Sequence, residues 1–135
     1  GGTALAEVLL GEVNPSGRLP ETFPLTHLDC PATRLGEFPG KEKVCYREGI
    51  YVGYRYYDTY EIEPQFCFGY GLSYTEFTCR NLEISDNSSA FPVSVSLDVK
   101  NTGEKSGKEV VQLYVRCLKP KAERPYQELK GYEKV

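Results

Sequence analysis

Between residues 93 and 99 every odd position is apolar (Val93, Val95, Leu97, Val99) and every even one polar (Ser94, Ser96, Asp98). Side chains in a strand alternate between faces, so this pattern predicts a strand with one face buried. Residues 100–108, with Asn101, Gly103 and Gly107, predict a polar loop, after which Val111, Leu113 and Val115 resume the alternation. The expected register turns Val93, Val95, Leu97 and Val99 toward the core together with Val111, Leu113 and Val115, and turns Ser94, Ser96 and Asp98 outward. Residues 77–84 predict a weaker strand before these two. Pro120 and Pro125 bracket another loop, and residues 129–135 predict a further strand.

The rest of the chain has a different rhythm. Residues 3–10 are strong helix formers, with Leu5, Val8 and Leu9 on one apolar stripe and Gly11 as a stop. Two turns are marginal in isolation, so the helix is expected to dock on something mostly upstream of residue 1. Residues 14–24 carry Pro15, Pro20, Pro24 and Gly17, which leave room for neither a helix nor a central strand. With Pro31, Gly36, Pro39 and Gly40 the loop-like character continues to about residue 45, which suggests a connector crossing the surface of a larger body. Short strands at loop-separated intervals point to a mainly β chain, a partial antiparallel sandwich of the immunoglobulin or fibronectin type III kind. Such sandwiches need about seven strands, and the four legible here suggest that the C-terminus is a cut.

Six of the eleven tyrosines, Tyr46, Tyr51, Tyr54, Tyr56, Tyr57 and Tyr60, crowd into residues 46–60. Such rings can stack on the apolar face of a sugar, or they can seal an interface between packed bodies. They hold no strict alternation that would turn them all to one face, which favours the seal. Arg47, Glu48, Arg55 and Asp58 among them are expected to form interdomain ion pairs before a substrate clamp.

Composition narrows the chemistry. The 135 residues carry 16 Lys plus Arg against 19 Asp plus Glu, a net charge of −3, without the basic stripe of a nucleic-acid binder. No stretch approaches the roughly 20 apolar residues of a membrane helix. Cys30, Cys45, Cys67, Cys79 and Cys117 show no metal-ligand spacing, and no metal or other cofactor is expected. Their odd number leaves one thiol unpaired in any disulfide scheme, which fits a reduced cytoplasmic protein better than a secreted one. The opening Gly1-Gly2-Thr3, with neither Met nor signal peptide, reads as an internal cut. His27, the single histidine, lies in a Pro-rich loop without a nucleophile to activate and reads as a surface residue. Gly69-Tyr70-Gly71 does not extend to a phosphate-binding fingerprint, and its glycines are expected to supply positive φ. Asn87-Ser88-Ser89 is a glycosylation sequon by pattern. Acidic residues in stretches such as Lys41-Glu42-Lys43 and Glu104-Lys105 read as solvated surface.

Four segments in fixed order carry a resemblance: Asn14-Pro-Ser-Gly-Arg-Leu-Pro20 with Thr22-Phe-Pro24; Tyr46-Arg-Glu-Gly-Ile-Tyr-Val-Gly-Tyr-Arg-Tyr-Tyr-Asp58; Phe68-Gly-Tyr-Gly-Leu-Ser-Tyr-Thr-Glu-Phe77; and Gly107-Lys-Glu-Val-Val-Gln-Leu-Tyr-Val115 followed by Arg124-Pro and Glu128-Leu-Lys-Gly131. Together they resemble the C-terminal portion of glycoside hydrolase family 3, the family of many β-glucosidases. The resemblance implies the end of an α/β sandwich domain at 1–24, a connector at 25–67, tyrosine-rich from 46, and a fibronectin type III-like domain at 68–135, truncated at its C-terminus. It implies a parent enzyme hydrolysing terminal β-glycosidic bonds with retention, whose partners are a β-linked glucoside or oligosaccharide and upstream catalytic domains, with neither nucleic acid nor membrane. Xylosidase or N-acetylglucosaminidase specificity is compatible with it. The family's catalytic carboxylates precede the matching region, so no catalytic residue is carried over, no substrate-binding residue is assigned, and the chain alone is expected to be inactive. The alternative is a stand-alone carbohydrate-binding β-module that uses surface tyrosines.

Overall fold

The structure, a computed structural model, describes residues 1–40, 42–85 and 93–135. The sequon Asn87-Ser88-Ser89 lies outside them. The chain divides into two compact units, each discontinuous in sequence: residues 1–17, 72–109 and 134–135 form the first, and residues 18–71 and 110–133 the second.

The first unit opens with helix α1 (Gly2–Leu9). Gly11, at φ +76°, ends it in a Schellman motif: its amide donates to the Val8 carbonyl at 3.1 Å, and the Glu12 amide to Glu7 at 2.9 Å. The stripe that predicted this helix is open to solvent within the chain, Leu5 at 61% and Leu9 at 71% exposure. Strands β3 (Phe77–Ser85) and β4 (Ser94–Asn101) pair antiparallel, with Phe77 opposite Asn101 and Ser85 opposite Ser94. The register slips by one residue between Arg80 and Glu83. Asn81 forms this bulge at φ +53°, a conformation that asparagine tolerates better than most side chains, and its amide donates to the Asp98 carboxylate at 2.7 Å. The bulge breaks the two-residue period, which is why residues 77–84 carry the weaker strand pattern.

Along β4, Val95, Leu97 and Val99 are half-buried while Ser94, Ser96 and Asp98 are exposed, as the alternation predicts. Val93 departs from the expectation: it precedes the strand and is exposed. The loop after β4 closes over Thr75, whose hydroxyl donates to Asn101 Oδ1 at 2.6 Å. Asn101 also accepts the Gly103 amide at 3.0 Å and donates to the Lys105 carbonyl at 2.7 Å.

In the second unit, β1 (Phe23–Pro24) and β2 (Pro64–Phe66) form a minimal antiparallel pair. Residues 25–40 are more ordered than their prolines predict, with a single 3-10 turn at His27–Asp29 and helix α2 at Pro31–Arg34. Asp29 accepts both the amide and the hydroxyl of Thr26, at 3.1 and 2.9 Å, and Pro31 takes the first helical position, where its missing donor costs nothing. Helix α3 (Tyr54–Tyr60) follows, and β5 (Val110–Val115) pairs with β6 (Glu128–Lys134). Beyond their ends Glu109 and Val135 exchange both backbone hydrogen bonds, at 2.9 Å each, the close pair of an antiparallel ladder.

Strand β5 overturns the expected register. Leu113 and Val115 are exposed, while Gln112 and Tyr114 join Val110 and Val111 in the half-buried set. The Tyr114 ring packs on Tyr54 at 5.5 Å, and an aromatic ring offers more area to bury than the aliphatic residues flanking it.

Interior is scarce. Among the described residues only Tyr57, at 5% exposure, and Thr75, at 7%, are buried. No described helix is long and apolar enough to cross a membrane.

Candidate functional site

The second half of the tyrosine-rich segment, from Tyr54 to Tyr60, is helix α3, which explains why period two does not describe it. Gly53, at φ +58° and ψ −136°, turns the chain into α3, and Glu61 ends it in the left-handed conformation with the Ile62 amide donating to the Tyr57 carbonyl at 3.0 Å. Seven residues are too few for a stable isolated helix, so its order comes from side-chain contacts. Tyr54 and Asp58 share one face, Tyr56 and Tyr60 another, each pair four residues apart.

The first face is fastened to the segment entering β6. The Tyr54 hydroxyl accepts the Leu129 amide at 2.7 Å, Asp58 accepts the Gln127 side-chain amide at 2.8 Å, and Thr59 Oγ1 accepts the Tyr126 amide at 2.9 Å. The Tyr54 ring meets Phe68 at 5.4 Å as well as Tyr114. Gly69, at φ +83°, lies beside the end of the flexible Gln112 side chain, and its positive φ is what favours glycine there. The companion Gly71 has no such positive φ.

Tyr57 is the anchor. Burial pushes its phenol up to about 12, and the neighbouring Cys30 thiol adds to the shift. Burial also raises Tyr114, with Tyr54 as the next cause.

The second face lines a groove of about 520 Å³. Tyr51, Tyr56 and Tyr60 form its aromatic wall, Tyr60 standing 5.4 Å from Tyr51 and 5.1 Å from Tyr56. Pro31, Leu35 and Ile62 supply aliphatic surface, and Arg34, Arg47 and Glu48 the charges. The Tyr51 hydroxyl donates to Glu123 at 2.8 Å, and this hydrogen bond is the first cause that raises its phenol to about 12. Arg47 is held through Nε by Glu37 at 2.8 Å, and the other oxygen of that largely buried carboxylate accepts the Cys45 amide at 3.0 Å.

Several sequence expectations resolve here. Arg47 does form an ion pair, within the same unit, whereas Asp58 takes a neutral partner and Glu48 faces the groove. The hydroxyls of Tyr51 and Tyr54 bond to Glu123 and to the Leu129 amide rather than to Arg47, Arg55 or Asp58. Within the chain the tyrosines divide by position: Tyr57 is buried, while Tyr46 at 87% and Tyr60 at 54% are open. The helical spacing of Tyr56 and Tyr60, bracketed by Gly53 and Pro64, was the signal that an alternation test passes over. His27 is exposed, and all five thiols are free. Among the described residues no three His, Cys, Asp or Glu side chains gather closely enough to hold a metal ion.

Glu48 is the one carboxylate lining the groove. Retaining glycoside hydrolysis uses two carboxyl groups about 5 to 5.5 Å apart.

A mostly β chain with few helices and a fibronectin type III-like part is the class this architecture defines. Residues 1–54 match the glycosyl hydrolase family 3 C-terminal domain and residues 109–135 the fibronectin type III-like domain. Thermostable beta-glucosidase B of Acetivibrio thermocellus is 53% identical over 99% of the chain, and a beta-glucosidase of Rhizobium radiobacter 46% identical over 99%. Among solved structures, beta-glucosidase 3B of Thermotoga neapolitana in complex with alpha-D-glucose superposes with a TM-score of 0.90 at 46% identity, over 99% of this chain and 19% of that one. The Bifidobacterium adolescentis GH3 beta-glucosidase gives 0.92 at 43%, over 100% of this chain and 20% of that one. The chain belongs to glycoside hydrolase family 3 and corresponds to its C-terminal portion. It spans 18% and 17% of the lengths of the two curated relatives.

Proposed function

We propose that the chain serves a retaining β-glucosidase-type enzyme, hydrolysing terminal β-glycosidic bonds of glucosides or oligosaccharides, as a structural part that does not itself hold the catalytic carboxylates. The observation that carries this reading is identity of 46% and 53% extending over 99% of the chain to proteins named as beta-glucosidases. In this reading residues 1–24 complete an α/β sandwich domain, 25–67 connect, and 68–135 belong to the fibronectin type III-like domain, with the catalytic domains upstream.

The test is an assay of the full-length polypeptide that contains this chain, on p-nitrophenyl β-D-glucoside, with the anomer of the first-formed glucose read by NMR. Turnover with β-glucose as the initial product is expected, and no turnover from the 135-residue chain alone. An intact protein that leaves aryl β-glycosides untouched, or releases α-glucose first, overturns the proposal.

A further inference from the structure

We propose that the groove between α2 and the outer face of α3 is a saccharide-binding site, with Tyr60 and Tyr56 as the stacking surface and Arg34 and Glu48 as the groups that address hydroxyls. This goes beyond the hydrolytic reading, since it concerns binding by this chain's own residues.

Four observations carry it. The groove, at about 520 Å³, lies within the roughly 300–1,000 Å³ of small-molecule sites. Its aromatic wall is already in place: Tyr60 is propped by Tyr51 at 5.4 Å and by Tyr56 at 5.1 Å, and Tyr51 is tied to Glu123, so little side-chain freedom is lost on binding. Tyr60 is 54% exposed despite these neighbours, which leaves ring area for the apolar face of a pyranose. The charges balance, because Arg47 is paired with Glu37 and Arg34 shares the groove with Glu48. A phosphate-bearing ligand calls for surplus positive charge. A neutral polyol instead calls for planar donors and acceptors that take two adjacent hydroxyls at once, the service a guanidinium and a carboxylate perform.

The test uses the full-length polypeptide and a hydrolysis-resistant disaccharide, methyl 4-thio-β-cellobioside, titrated calorimetrically with and without saturating gluconolactone, which occupies a glucosidase centre. The expected result is a binding event that persists under gluconolactone and weakens about tenfold or more in Tyr60→Ala and in Arg34→Gln. If Tyr60→Ala lowers the melting temperature, Arg34→Gln alone decides. The proposal is overturned by absence of a gluconolactone-insensitive event, by an event that both variants leave intact, or by inorganic phosphate binding where the thiodisaccharide does not. An intact protein that binds the thiodisaccharide but hydrolyses no glucoside refutes the hydrolase reading and leaves this one standing.

Discussion

The Leu129 amide donates to the Tyr54 hydroxyl at 2.7 Å, so a side chain of α3 supplies the acceptor that the start of β6 lacks. Tyr54→Phe keeps the ring contacts with Phe68 and Tyr114 and orphans this half-buried amide. The expected loss is about 1–3 kcal/mol, read as a lower urea midpoint of the full-length protein with unchanged slope. Tyr54→Ala and Tyr57→Ala should cost more, about 3–5 kcal/mol, as large aromatic truncations do. Equal midpoints for wild type and Tyr54→Phe would show that water replaces the hydroxyl freely.

Gly53 meets nothing within 4 Å of a built Cβ, yet its φ of +58° lies where side chains are rarely accepted. Gly53→Ala should therefore destabilise through backbone strain alone, by about 1–3 kcal/mol. Gly131→Ala, equally uncrowded and free of positive φ, should be neutral within about 0.5 kcal/mol. Melting curves of the two variants side by side check the contrast.

Tyr51 and Tyr57 both have phenols raised to about 12. A folded-state value above the unfolded one of about 10 means that the folded chain holds these protons longer. The associated stability is complete below about pH 10 and lost as pH rises toward 12. Phenolate absorbance should thus show late-titrating tyrosines that move to the ordinary range on unfolding. Because the Glu123 hydrogen bond is the first cause at Tyr51, Glu123→Gln should lower that phenol while leaving Tyr57 where it is.

The alternation on β4 separates two neighbouring substitutions. Val95 is half-buried and Ser96 exposed. Val95→Asp should cost about 1–3 kcal/mol or more, and Ser96→Asp should stay within about 0.5 kcal/mol. Comparable melting temperatures for the two variants would mean that the face is wrongly assigned.

Much of this protein was legible along the chain where a local cause suffices. The α1 helix and its Gly11 stop follow from apolar spacing and the left-handed tolerance of glycine, and β4 follows from strict alternation, because both periods are written into consecutive residues. Motif order pointed to family 3 for the same reason. Other features needed distant residues to meet. Residues 54–60 are helical because Leu129, Gln127 and Tyr126, about seventy positions away, bind Tyr54, Asp58 and Thr59. The buried face of β5 was decided by the Tyr114 ring against Tyr54, which outweighs the hydrophobic pattern of Leu113 and Val115. Which tyrosines would be anchors and which would line a groove also depended on these contacts: residue identity fixes what a ring can do, but its exposure depends on what the folded chain brings beside it.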